Sequence, residues 1–278
     1  METQFVHHKQ GKIAYSDGGG SGPLVVCVPG AGDVRSSYRF LAPALREAGY
    51  RVVQMDLRGQ GDSSVNWLHF SVEALAADLV ALIDALGGGP ALVIGAAMGG
   101  TAALWVGTEQ PSKIVGLVLV SAYVRDLPLS FHQKFALSVL MNRWWGPGSW
   151  VKDYRKRYPT SPPADLDQYL SGLKDNLKQP GRLQATRALL RATKELGQPR
   201  LAQILAPALV VTGSADSEFP DPAAEGRFIA ELLGAPAQTL CIEGAGHHPH
   251  VEMPDQLTPA VLRFFNRVQQ GKASIHSA

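Results

Sequence analysis

The chain is short of cysteine, of long apolar stretches and of net charge, and each shortage removes a class of protein. Two cysteines in 278 residues, Cys27 and Cys241, cannot build a disulfide framework. Both fall in apolar runs that read as buried strands, so two reduced core thiols are expected in place of a disulfide or a metal site. No apolar run approaches the roughly 20 residues that a membrane-spanning helix needs. Met1 to Gln10 is polar, includes His7 and His8, and lacks the basic and apolar regions of a secretory signal. A cytoplasmic location with no membrane contact is therefore expected. The net charge is +2, from 26 basic and 24 acidic residues, and no dense basic stripe of the kind that binds nucleic acid is present. Apolar residues make up 45% and charged residues 18%, which excludes a disordered chain. The length suits one α/β domain carrying an insertion better than two separate domains.

The small net charge hides an uneven distribution. Between Arg125 and Arg200 stand 14 Lys+Arg against 6 Asp+Glu, a local +8, which leaves −6 for the rest. Most of these charges belong on solvated helix faces, with a mild attraction for an anionic substrate as one consequence.

What the chain does have is alternation. Short continuous apolar runs at 24–28, 51–55, 91–94, 115–120, 208–212 and 239–242 read as strands. Helical patterns at 36–48, 71–83, 101–109, 223–233 and 256–268 lie between or after them. Strands of this kind, separated by helices, indicate a parallel sheet covered on both faces. Ser71 is a natural N-cap for the apolar spacing of Val72, Leu75, Leu79, Leu82 and Ile83. Between 125 and 203 the strand signal vanishes. That stretch is helical, basic and aromatic, and reads as a lid over the edge of the sheet where ligands bind in such folds. The division expected is thus a core of 1–124 with 204–278, and a helical cap of 125–203.

The chemistry gathers where strands end. After the strand at 91–94 comes Gly95-Ala96-Ala97-Met98-Gly99-Gly100, a strand-to-helix turn crowded with small residues. A nucleophile elbow, G-x-S-x-G, needs small residues two before and two after its centre because any larger side chain would strike the neighbouring strand and helix. Gly95 and Gly99 meet that need, but the central position, where a hydroxyl belongs, is Ala97. Asp216 follows the strand at 208–212, and Gly246-His247 follows the one at 239–242. The order 97, 216, 247 is the chain order of nucleophile, acid and base on this kind of sheet. In that arrangement His247 is the general base and Asp216 sets its tautomer. The backbone N–H groups of Met98 and Ala31 are the expected oxyanion donors, each worth on the order of 3 kcal/mol in the transition state.

Rival readings accompany each of these residues. His247 could be a structural loop histidine, and with His248 and His250 it could suggest a metal site, but no matching carboxylate or cysteine set accompanies them, so no metal and no cofactor are expected. Glu218, Asp221 and Asp126 compete with Asp216 as the orienting acid. Arg58 and Asp62 are read as ties within a loop. Trp144, Trp145 and Trp150 serve either to pack the lid or, with Gly30, to contact substrate.

Taken together, Pro29-Gly30-Ala31-Gly32, Asp56-Leu57-Arg58-Gly59-Gln60-Gly61-Asp62-Ser63, the elbow, Asp216 and Gly246-His247 with Pro249 and Glu252 make the whole chain resemble the α/β-hydrolase superfamily, in its branch with a helical cap. The resemblance implies a mostly parallel eight-stranded sheet with helices on both faces. It also implies a carboxylic-ester or lactone hydrolase, without cofactor, that takes a small-molecule substrate through an acyl-enzyme. Two positions depart from the family pattern. Pro29 stands where many relatives have histidine, and Ala97 removes the nucleophile. The favoured origin of Ala97 is a serine-to-alanine change that inactivates an otherwise retained site. The alternatives are a carbon–carbon bond hydrolase with the same triad and a naturally nucleophile-free, ligand-binding or receptor-like member. Epoxide hydrolases and haloalkane dehalogenases are disfavoured because they need a carboxylate at 97.

Overall fold

Uninterrupted apolar runs of five to seven residues can satisfy their backbone only beside other strands, and their side chains only between covering layers. The computed structural model, which describes residues 1–126 and 145–276, arranges them so. The strands are β1 Gln4–His8, β2 Gly11–Asp17, β3 Leu24–Val28, β4 Arg51–Met55, β5 Ala91–Ala96, β6 Ile114–Val120, β7 Ala208–Gly213 and β8 Ala237–Ile242. They form one eight-stranded sheet in the order β1-β2-β4-β3-β5-β6-β7-β8. β1 and β2 pair antiparallel, as do β2 and β4, and the remaining pairs are parallel. The chain winds outward from β3 to β4, then returns to the far side of β3 to lay down β5. The crevice beyond the carboxyl ends of β3 and β5 is therefore the topological switch point, where ligands bind in such sheets.

Among the described residues the helices are α1 Leu41–Glu47, α2 Val72–Ala85, α3 Met98–Glu109, α4 Gly146–Arg155, α5 Leu166–Lys178, α6 Arg182–Arg191, the single turn α7 Gln198–Leu201, α8 Pro222–Leu232, the single turn α9 Pro249–Glu252, and α10 Pro254–His276. Ser71 caps α2 as expected, its side chain accepting from the Ala74 N–H. Asp221, one of the candidate acids, instead caps α8 by accepting from the Ala224 N–H at 2.9 Å.

The single helix expected over 36–48 is in fact two pieces, a 3-10 turn at Arg35–Tyr38 and then α1. Pro43 explains the break. In the first turn of α1 its missing N–H is not needed, whereas deep inside a longer helix it would delete a bond and clash. The hairpin β1–β2 was not expected, since its first strand is mostly exposed and carries no apolar run. Cys27 is buried, but Cys241 is exposed, which corrects the expectation of two core thiols. β8 is an edge strand of the sheet, and most of its residues stay accessible.

Both faces of the sheet are covered. On one, Leu75, Leu79 and Leu82 of α2 and Leu104 of α3 pack on Val93, Leu117 and Val210. On the other, Leu41 and Leu45 of α1 and Leu257, Val261 and Phe265 of α10 pack on Val25, Ile94 and Val118. Each such side chain contributes about 1.5–3 kcal/mol by leaving water. Among the described residues between β6 and β7, α4, α5 and α6 gather their aromatic and leucine faces around Trp150, Tyr154, Leu170 and Leu173, while Leu201 of α7 joins the sheet-side core. Arg58 and Asp62 do tie down loops. Arg58 forks onto Asp78 of α2 at 2.7 and 2.8 Å, and Asp62 accepts from Arg35.

Candidate active site

The turn after β5 is the first part of the site. Ala97 has φ 47° and ψ −118°, a left-handed conformation that L-residues avoid and that stores on the order of 1–3 kcal/mol. The surroundings impose it. A Cβ on Gly95 would lie 2.5 Å from the Gly100 Cα, and one on Gly99 would lie 2.4 Å from the Val28 carbonyl oxygen. Strand, turn and helix therefore approach as closely as backbone allows. Gly95 and Gly99 are required for the steric reason expected of an elbow.

That same contact brings the loop after β3 against the turn. A Cβ on Gly30 would sit 3.3 Å from the Ala97 Cβ. Ala31 follows in the same loop and is buried. Met98 is the first residue of α3, and the N–H groups of a helix's first turn have no partner within the helix. The dipole of α3 adds partial positive charge at this end.

The second part is a buried dyad. His247 Nδ1 and Asp216 Oδ2 are 2.8 Å apart, and the two residues are each 2% exposed. Asp216 comes directly off β7 and His247 off the loop after β8, so adjacent parallel strands deliver both groups to one end of the sheet. A Cβ on Gly213 would strike the carbonyl oxygens of Ala245 and Gly246 at 2.2 and 2.3 Å, which is why the two loops can meet. The second Asp216 oxygen accepts from the Glu218 N–H at 3.0 Å, so one carboxylate orders both the imidazole and its own loop.

The competing acids go elsewhere. Asp126 accepts from the Thr193 hydroxyl and the Lys194 N–H. Glu218 approaches His247 from the other side, with Oε1 3.9 Å from Nε2. It also pairs with Arg157 at 2.8 Å and accepts from the Tyr123 hydroxyl. Burial opposes its charge, but Arg157 above all, then His247 and Tyr123, hold its carboxyl down to about 2. Burial likewise pushes the His247 imidazole down, yet Glu218 and then Asp216 reverse this and hold it above its usual value. The neighbouring imidazoles behave oppositely. Burial, with the nearby His247 charge, lowers His248 well below the ordinary histidine range and lowers His250 to about 3. Those two rings pack against tyrosines, His248 on Tyr154 and His250 on Tyr38, with centroids 4.9 Å apart in each pair.

Of the three tryptophans, Trp144 lies outside the described residues. Trp145 is half exposed and lines a surface depression with Pro147, Lys174 and Leu183, on the inserted helices. Trp150 is buried and its indole N–H donates to the Gly32 carbonyl at 3.0 Å, with its ring lying where a Gly32 Cβ would go. It thus clamps α4 onto the loop that carries Ala31. Asp33, next in that loop, accepts from the Tyr154 hydroxyl at 2.7 Å and from that of Tyr169.

The sequence of the chain matches that of the alpha/beta hydrolase family over residues 25–260. The chain belongs to this family. Among related hydrolases is epoxide hydrolase B of Mycobacterium tuberculosis, 30% identical over 195 residues that make up 63% of this chain and 52% of that protein. The chain thus spans about half the length of that relative. Among solved structures, a thermophilic esterase from Thermogutta terrifontis superposes with a TM-score of 0.79 at 25% identity, covering 96% of this chain and 99% of the other. A hydrolase from Pseudomonas aeruginosa gives 0.77 at 27% identity, with 95% and 98% covered. A bromoperoxidase from Bacillus anthracis shares the fold, with a TM-score of 0.80 at 20% identity and 95% and 100% covered.

Sequence reasoning missed Arg157, Tyr123 and Asp33 beside this candidate site, and it named Glu218 only as a rival of Asp216. Arg157 lies in a basic segment with nothing to single it out, and Tyr123 carries no motif. Asp33 had a detectable signal in its position directly after the Gly-rich loop.

Proposed function

We propose that this chain is a serine-type hydrolase scaffold for carboxylic esters or lactones whose nucleophile position is held by Ala97. The observation that supports it is the buried His247–Asp216 pair at 2.8 Å together with a strained elbow at 97 that has kept its shape. An alanine that served only to connect β5 to α3 would have no reason to hold a left-handed backbone. In this reading a hydroxyl at 97 gives its proton to His247, attacks the acyl carbon and leaves an oxyanion facing the N–H groups of Met98 and Ala31. Asp216 stabilises the imidazolium that forms. The inserted segment 125–203 serves as the lid, and Trp150 positions the Ala31 loop by holding Gly32.

As it stands, with Ala97, the chain binds its small-molecule substrate and turns it over only slowly, the residual rate coming from the oxyanion donors and from binding. The test is Ala97→Ser with p-nitrophenyl acetate and a panel of lactones. The expected result is a gain of at least about 10³-fold in kcat. A folded, dyad-intact revertant that stays inert on every ester and lactone overturns the proposal. A second reading, a ligand-binding member without chemistry, is favoured by Ala97 itself. It predicts tight ligand binding that serine at 97 leaves unchanged, with no turnover.

A further inference from the structure

His247 has one nitrogen committed. Nδ1 is bonded to Asp216, so Nε2 alone remains to meet a reacting group. The group standing at 3.9 Å from Nε2 is Glu218, and Glu218 is the counter-ion of Arg157. A substrate that approaches the imidazole must therefore share its place with this ion pair.

Arg157 is built into position. Its side chain is only 15% exposed, and its guanidinium lies over the rings of Trp150 and Tyr154 at 5.1 and 5.3 Å. Its backbone is pressed onto the histidine loop, since a Cβ on Gly246 would meet the Arg157 carbonyl oxygen at 2.2 Å. Glu252 secures the same junction by accepting from the Thr160 and Ser161 N–H groups and from that of Gly246. The insertion thus holds this cation against the carboxylate that faces the base. Its partner is less enclosed, because the Glu218 side chain keeps 27% of its surface exposed.

Displacing Glu218 from Arg157 would strand a nearly buried guanidinium, which is strongly unfavourable unless another anion replaces the carboxylate. A neutral substrate cannot replace it. A substrate carboxylate can, and a guanidinium fork suits it. We infer that Arg157 anchors a carboxylate carried by the substrate, and that Glu218 holds that place in the structure as an internal substitute. The substrate class is accordingly a half-ester or lactone acid, one hydrolysable acyl bond beside one free carboxylate. This inference rests on the reading of His247 as the catalytic base.

The probes are 4-acetoxybenzoate and its neutral methyl ester, measured in two ways. Binding is followed by calorimetry on the Ala97 chain, and hydrolysis as kcat/KM in Ala97→Ser. The anionic ester is expected to be preferred at least tenfold in binding. In binding to the Ala97 chain, Arg157→Met removes that preference, Arg157→Lys keeps part of it, and Glu218→Gln raises it several-fold. An anion preference that survives Arg157→Met overturns the inference. So does a Glu218→Gln variant in which anion binding is unchanged or weaker, a readout that holds even if Arg157→Met fails to fold. The two proposals fail separately. If Ala97→Ser cleaves both esters with no Arg157-dependent preference, the anchor falls and the hydrolase stands. If Ala97→Ser is inert while the Ala97 chain binds the anion through Arg157, the hydrolase falls with the ester and lactone class, and Arg157 stands as a carboxylate anchor only.

Discussion

The sheet and the inserted helices are held by different forces. Every residue of β5 and β7 is buried, and the helices lie on the sheet through apolar side chains such as Leu79, Leu104, Val261 and Phe265. The insertion adds Leu189, Leu196 and Leu201 to that apolar core, but it meets the loops of the site through polar and aromatic contacts. Trp150 donates to Gly32, Tyr154 and Tyr169 donate to Asp33, and Arg157 pairs with Glu218. A sheet face of aliphatic side chains is insensitive to small displacements, because dispersion and the hydrophobic effect carry no direction. Hydrogen bonds to a loop backbone do carry direction. The insertion therefore fixes the geometry of the Gly30–Asp33 loop and of the histidine loop, while the sheet fixes only which strand ends are neighbours.

The strongest way to sharpen this comparison is to cut the dyad without touching the insertion. Asp216→Asn in the Ala97→Ser background should lower kcat by about 10⁴ through the wrong imidazole tautomer, with KM and thermal midpoint nearly unchanged, as read by steady-state kinetics and a melting scan. A fall in kcat below tenfold would assign the orienting role to another acid.

The opposite cut comes next in size. Trp150→Ala should cost about 3–5 kcal/mol by the large-to-small rule, seen in denaturant unfolding. Limited proteolysis should open the insertion before the sheet. Loss of both regions in one step would mean that the two are a single cooperative unit.

A third prediction concerns charge. In the Ala97→Ser chain kcat/KM should rise with pH through a midpoint above the ordinary histidine value, because neutral imidazole is the base and Glu218 and Asp216 hold His247 protonated against its burial. Tyr123, His248 and Arg157 also face the ring. Glu218→Gln should move that midpoint downward. For stability the sign is opposite. With its value raised in the folded state, His247 contributes stability below the ordinary histidine range, and this is lost as pH rises through the raised value. The smallest effect is at the elbow, where Ala97→Gly should stabilise the chain by about 1 kcal/mol by releasing left-handed strain.

Much of this was legible beforehand because it is local. Gly95, Ala97 and Gly99 announced a tight strand-to-helix turn, since the spacing of small residues is itself the steric requirement. Ser71 announced a helix start. Asp216 and His247 were recognisable by their place just past strands. Glu218 was visible only as an alternative to Asp216, and Arg157 not at all, because nothing in a basic helical stretch distinguishes the one arginine that folds back over the histidine loop. The burial of Trp150 and the exposure of Cys241 were equally hidden, as both depend on which element lies at an edge.

By itself the sequence determined the alternation of the six parallel strands with their helices, the shape of the elbow and the absence of a hydroxyl at its centre, because backbone sterics and apolar periodicity act over a few residues. Only the tertiary structure decided which charges confront the imidazole. Glu218 and Arg157 come from β7's loop and from the insertion, and their meeting at His247 depends on close approaches at Gly213 and Gly246 that no local pattern encodes.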